Sequence, residues 1–493
     1  MQYVRWAHIQ GISLSVLSNA RWIALAQAVK IGAQLVNMVV LTRLIGPNDY
    51  GLMALAGIAT NLALLLRDMG TSAAIIQKAE VSQQMASSVF WLNLGMGTVL
   101  CGFTMLLAPL MANVFGTPQL VEVLVWLAIT FPLSSSASAH QSTLERHSRF
   151  KTVALIESVA SALSLAVALY LAYQGWGVFS LVSQAVVSAA LSAALLWWAS
   201  GWRPSLSFEL AELKAIMGFS GNMAGYQLTS YLFRNADAFL VGKLVGVGAL
   251  GFYALAYKVM LFPVQNISWV ATRAAFPVMS RMQGDLPQLA ALFLRLLSVL
   301  SFIVGPLMFG LLATAQPFTL AVFGGKWADM AGILSWLSVV GYVQVITGTT
   351  GPVLMALGRS GDLFKLAIFG SGLHLLLFGL GALWQGSTGV AAGYLVASLV
   401  VSPVTFWLTC RRLGIRLGQV WGAVWPSLVC AVVMAAVVWF VRAEVEKARS
   451  AEMVLWACGA AGLLTYVAAS FLWQRSQFTQ VSELIRLKKG QPV

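Results

Sequence analysis

Apolar residues dominate this chain in long runs separated by short polar breaks. Fourteen runs are long enough to cross a bilayer as helices, which takes about 20 residues each. They fall near 22–42, 50–68, 86–108, 120–140, 153–173, 177–199, 215–237, 248–270, 291–313, 331–355, 363–384, 388–409, 420–441 and 453–474. The seventh is interrupted by Arg234 and Asp237, the eighth by Lys258.

The pattern also repeats. Residues 41–56 read LTRLIGPNDYGLMALA and residues 241–256 read VGKLVGVGALGFYALA. Slid by 200 positions, Leu44, Gly46, Gly51, Ala54, Leu55 and Ala56 meet identical residues, and Arg43 meets Lys243. LLAPLMANVFG at 106–116 resembles LLATAQPFTLAVFG at 311–324, with an insertion of three residues. Leu144, Arg146, Phe150 and Lys151 echo Leu357, Arg359, Phe364 and Lys365. Six spans per copy is an even number, so the copies run the same way through the membrane, as parallel repeats do. The expected fold is an all-α polytopic membrane protein of about fourteen helices. Two six-helix bundles, 1–206 and 207–415, face a central cavity, and residues 416–493 add two helices and a tail. The glycines of the hairpins, Gly46 with Gly51 and Gly246 with Gly251, are expected in tight turns.

Composition agrees with a lipid solvent. The 493 residues are 59% hydrophobic and 9% charged, against about 25% charged in a soluble domain. Mean hydropathy is +0.82. The net charge of +14 would suggest nucleic acid in a soluble protein, but its placement excludes that partner. With the N-terminus inside, nineteen Lys and Arg fall on the cytoplasmic side and six outside, and five sit in or beside spans. That bias sets both termini in the cytoplasm. The first twenty residues lack the continuous apolar core of a signal peptide and read as a short amphipathic helix on the inner surface. Cys101, Cys410, Cys430 and Cys458 make no metal or disulfide spacing, no Walker A motif occurs, and no cofactor is implied.

Charges inside spans cost about 2.5–3.5 kcal/mol each to insert and mark cavities. Lys30 lies mid-span, with Gln27, Gln34 and Asn37 at offsets that share its helical face. Arg234 and Asp237 correspond to Gln34 and Asn37 through the 200-residue offset. Lys30, Arg234 and Lys258, with Gln34 and Asn37, are therefore the expected substrate-binding residues of a cationic cavity. Arg suits a phosphate oxygen pair through its planar fork, and Lys acts as a point charge. Asp237 either orients Arg234 three residues away or holds a coupling ion. His140 and His374 are weaker proton-coupling sites.

The two hairpin motifs in register, TRLIGPNDYGLMALA and NADAFLVGKLVGVGALGFYALAYKVMLFPVQNIS, and the fourteen-span layout resemble the polysaccharide exporter or oligosaccharide-lipid flippase family. That family belongs to the multidrug/oligosaccharidyl-lipid/polysaccharide superfamily. The resemblance implies a secondary transporter, not an enzyme. Its cargo would be polyprenyl-pyrophosphate-linked oligosaccharide, moved across the bacterial inner membrane for surface polysaccharide synthesis. Membrane lipids and polysaccharide polymerase and assembly machinery would be its partners. A multidrug antiporter and a peptidoglycan lipid-precursor flippase are the alternatives.

Overall fold

The structure, a computed structural model, describes residues 27–29, 31–68, 82–207, 231, 234–446 and 450–474, with no account of the side chains of 65–68. Lys30 and most of the seventh span lie outside the described residues. Within them the chain is helical, and ten helices are long and apolar enough to cross a membrane. One of these, Ser360–Leu413, is two helices joined across Gln385 and Gly386. In lipid a backbone must satisfy its own polar groups, so a helix is the form open to such runs.

The helices are numbered along the chain as α1 (31–44), α2 (Pro47–Asp68), α3 (Gln83–Phe115), α4 (Leu120–Arg146), α5 (Phe150–Tyr173), α6 (Val178–Ser200) and α7 (236–245). They continue as α8 (Val247–Arg281), α9 (Leu286–Ala313), α10 (Met330–Ala356), α11 (360–384), α12 (387–413), α13 (Leu417–Val445) and α14 (Ala451–Trp473). Large apolar side chains stand on the outside, among them Leu106, Leu383 and Trp456 at 79%, 78% and 81% exposure. Water would oppose such a surface, and hydrocarbon accepts it.

The chain divides into two compact units, Met1–Lys243 and Leu244–Val493. In the first, side chains tie α7 and Tyr231 before it to neighbouring helices. The Tyr231 hydroxyl donates to the carbonyl of Ile58 at 3.0 Å, Phe239 meets Phe115 edge-on at 5.3 Å, and Lys243 donates to the carbonyl of Val114. The stretch 201–207 lies along α3. Trp91 Nε1 donates to the carbonyl of Ser205 at 2.8 Å, and Ser205 N donates to Ser87 Oγ at 3.0 Å. In the second unit α13 and α14 pack on α9, where Tyr466 donates to the carbonyl of Phe302 at 2.7 Å. Small residues let membrane helices approach closely. Gly97 of α3 faces Ser135 of α4, Gly305 faces Ala431, and Gly462 faces Val438.

Each unit repeats local devices. Both copies widen into a π-turn before the hairpin, at Asn37–Leu41 and Val241–Val245. The α5–α6 turn holds Gly177 at φ 50°, ψ −126°, and the α11–α12 turn holds Gly386 at φ 60°, ψ −136°. Each glycine sits against its own unit's hairpin. A Cβ on Gly177 would lie 2.9 Å from Asp49 Oδ1, and one on Gly386 3.1 Å from Val245 Cγ1.

Three expectations of detail change. The fourth-to-fifth connections match as Ser148 with Gly358, both left-handed at φ 55° and 68°. Arg149 N bonds the carbonyl of Leu144 at 2.9 Å and Arg359 N that of Leu354 at 2.8 Å. Arg149, and not Arg146, is therefore the counterpart of Arg359, because the turn geometry sets the register. The three-residue insertion after α9 breaks the helix at Thr314 and starts a short one, Ala315–Phe323, where α3 runs unbroken. Finally, Gly51 and Gly251 are buried inside the first turns of α2 and α8 and not in the hairpin turns.

Gly246 takes φ 116°, ψ 170°, whereas Gly46 has no left-handed φ. An L-residue is strained at the first position and not at the second. Gly246→Ala should cost about 1–3 kcal/mol, and Gly46→Ala well under about 1 kcal/mol. Thermal unfolding of the two variants in detergent checks the difference; equal melting would refute it.

Candidate functional site

The expected cationic residues are placed as follows. Arg234 is exposed just before α7, and Lys258 is half-buried on α8 in the second unit. Gln34 is half-buried on α1. Asn37 donates through Nδ2 to Gln184 Oε1 on α6 at 2.7 Å, so it joins two helices of its unit. Asp237 is 4% exposed, and its Oδ1 accepts the Ala238 N–H at 2.7 Å. His140 and His374 are held in packed surroundings. His140 is buried among Phe90, Trp197 and Trp202, with Nδ1 2.8 Å from Ser200 Oγ. His374 Nδ1 lies 2.7 Å from the carbonyl of Gly370.

The first unit also contains a site that the intramembrane charges do not mark. A cavity of about 720 Å³ lies between α2, α4 and α6. Asn61, Ser134, Ser138, Gln141, Glu145 and Ser188 are in its lining. The α4 members recur at intervals of three and four residues, which puts them on one face. Among the described residues that line the cavity, Glu145 alone is charged. Gln141 Nε2 donates to Glu145 Oε1 at 2.8 Å, which orients the carboxylate. Thr60 and Thr130 direct their hydroxyl hydrogens to their own helices, onto the carbonyls of Ala56 at 3.0 Å and Leu127 at 2.6 Å. Their oxygen lone pairs are left for the cavity. An acceptor-rich wall of this kind receives ligands that bring donors.

The second unit has a cavity of different character. About 480 Å³ lies between α9, α10, α12 and α13, bounded by Phe309, Tyr342, Pro403, Phe406 and Trp421. Its wall is almost wholly hydrocarbon, and it suits an apolar chain.

These features define a class, a polytopic helical membrane protein built from two related units. Its fold is that of a lipid II flippase, MurJ, in an inward closed conformation. The two align with a TM-score of 0.72 at 14% identity, over 94% of this chain and 100% of that one. The sequence profile of the polysaccharide biosynthesis protein family matches residues 40–332, and the chain belongs to that family. It is 28% identical over 491 residues to the teichuronic acid biosynthesis protein TuaB of Bacillus subtilis, covering 96% of this chain and 98% of the relative. It is also 28% identical over 394 residues to the lipopolysaccharide biosynthesis protein WzxC of Escherichia coli, covering 80% of each.

Proposed function

We propose that this protein is a flippase that moves polyprenyl-pyrophosphate-linked oligosaccharide from the inner to the outer leaflet of a bacterial inner membrane, by alternating access. The observation that carries the reading is similarity along nearly the whole chain to proteins named for lipopolysaccharide and teichuronic acid biosynthesis. A helical transporter fold supports it, because the step such a pathway needs inside the membrane is translocation of a lipid-linked sugar.

In this reading Lys30 and Arg234 of the first unit take the pyrophosphate, Gln34 and Asn37 present polar contacts on the face of Lys30, and Asp237 orients Arg234. The apolar cavity of the second unit offers a hydrocarbon wall for the polyprenyl chain. Both termini lie in the cytoplasm, and the released cargo passes to the polymerase outside.

The test is transbilayer movement in proteoliposomes. A labelled polyprenyl-pyrophosphate oligosaccharide is loaded, and its exposure to an impermeant sugar-oxidising reagent is followed. Protein-dependent exposure of the second leaflet's pool is expected. Exposure no faster than in protein-free vesicles, with ion gradients imposed in both directions, would overturn the reading.

A further inference from the structure

The cavity of the first unit has a counterpart in the second, and the two have been finished differently. Four residue pairs give the correspondence. Gly46 and Gly246 relate α2 to α8 by 200 residues. Trp126 with Trp336, and Arg149 with Arg359, relate α4 to α10 by 210 at both ends. Gly177 and Gly386 relate α6 to α12 by 209. Through these offsets the cavity-lining Met53, Gly57, Ser134 and Ala185 correspond to Tyr253, Tyr257, Gln344 and Tyr394.

Those four residues of the second unit lie together. Tyr253 and Tyr257 stack at 6.3 Å, Tyr257 and Tyr394 at 6.5 Å, and Gln344 Nε2 donates to the Tyr394 hydroxyl at 2.5 Å. A column of rings therefore fills the place that the first unit leaves hollow. Membrane helices gain from close packing, and the first unit forgoes the aromatic packing that the second unit has at the corresponding positions.

We infer that the cavity of the first unit holds the sugar headgroup of the cargo, through Glu145, Gln141, Asn61 and the serine hydroxyls. The inference rests on the reading of the protein as a lipid-linked oligosaccharide flippase. The cavity's chemistry selects the sugar over the other parts of that cargo. A pyrophosphate would meet the Glu145 carboxylate with no basic side chain among the described lining residues to offset it. A polyprenyl chain would bring no donor to the Glu145 carboxylate or to the lone pairs of Thr60 and Thr130. Sugar hydroxyls bring the donors that the lone pairs of Thr60, Thr130 and Glu145 require. Size decides against a bare cation as the occupant. One water-sized guest takes about 30 Å³, whereas about 720 Å³ falls in the range of pockets that enclose small organic molecules.

The test transplants the second unit's residue into the first. The probe is the free oligosaccharide released by mild acid from the host's own surface polysaccharide, labelled at its reducing end. Its binding to purified protein is measured by equilibrium dialysis, beside binding of sugar-free polyprenyl pyrophosphate and of ²²Na⁺. Ala185→Tyr should weaken oligosaccharide binding about tenfold or more, as loss of several sugar contacts requires. Its binding of polyprenyl pyrophosphate should stay within about twofold of the parent's. Should Ala185→Tyr fail to elute as the parent does on size exclusion, Glu145→Gln with Ser188→Ala, which adds no bulk, carries the same expectation. Unchanged oligosaccharide binding in the folded variant would overturn the inference. So would loss of ²²Na⁺ binding alone, or an equal loss of polyprenyl pyrophosphate. Transport assayed on the same preparations separates the two readings. Parent protein that flips the full cargo, with a variant that still binds and flips normally, removes the sugar site and leaves the flippase. Parent protein that neither flips the cargo nor binds its sugar removes both.

Discussion

Export of surface polysaccharide is expected to fall about a hundredfold or more when Lys30 and Arg234 are both replaced by alanine. Each charged hydrogen bond to a phosphate contributes about 1.5–3 kcal/mol, which is about a tenfold to hundredfold loss per residue. Arg234→Lys keeps the charge but loses the planar fork, so it should retain part of the activity. Failed insertion does not explain such a loss, because removing a charge from an apolar span eases insertion by about 2.5–3.5 kcal/mol. The measurement is polysaccharide on the surface of a deletion strain carrying each variant, with membrane-inserted protein quantified alongside. Full export with both charges removed would sink the assignment of the pyrophosphate to these residues.

The largest structural effect is expected at the crossing of α11 and α12. A Cβ on Gly389 would fall on the backbone carbonyl of Gly381, and one on Gly393 would fall on the carbonyl of Leu377. Backbone cannot step aside as a flexible side chain can, so the helices must separate. Gly389→Val should destabilise the protein by about 3–5 kcal/mol, the range of the most severe single substitutions. That suffices to remove the folded form from a marginally stable protein. Fluorescence-detected size exclusion in mild detergent reads the outcome. Gly379→Ala, where a Cβ meets nothing within 4 Å, is the matched control and should elute as the parent does. Normal elution of both would show that the helices do not cross as closely as the backbone places them.

Much of the fold is legible in the apolar runs alone, for a physical reason. A lipid solvent imposes a length of about 20 apolar residues on each helix, and hydropathy reports that length directly. The boundaries of α4 to α6 and α9 to α14 therefore follow the apolar runs to within about six residues, whereas α3 and α8 continue to Phe115 and Arg281, well past the ends of their runs at 108 and 270. Register is harder to read. Arg146 resembles Arg359 in sequence spacing, but the left-handed turn at Ser148 and Gly358 aligns Arg149 instead. A turn's backbone conformation is weakly written in residue identity, since a serine and a glycine serve the same φ here.

The polar cavity is where residue pattern falls short. Its α4 face, Ser134, Ser138, Gln141 and Glu145, has the same helical spacing as Lys30, Gln34 and Asn37. The spacing alone does not mark a cavity, because serines on a membrane helix commonly bond their own backbone or serve helix contacts. No single helix distinguishes a packed serine face from a hollow one. The two units differ in the face itself, which reads Gln344, Gly348, Gly351 and Met355 on α10, and in what stands opposite, Gly57 and Ala185 in one unit and Tyr257 and Tyr394 in the other.

By itself, then, the sequence determined the solvent, the places of the long apolar helices among the described residues and the duplication that relates α2–α6 to α8–α12. Each of these is a local or periodic property, set by hydrocarbon thickness and by similarity at a constant offset. Only the tertiary structure decided which polar stripes line a space and which are packed shut, that Asn37 bonds Gln184, and that Gly389 lies against Gly381. Those outcomes depend on the rotation and spacing of helices far apart in the chain, which close packing settles jointly across several segments.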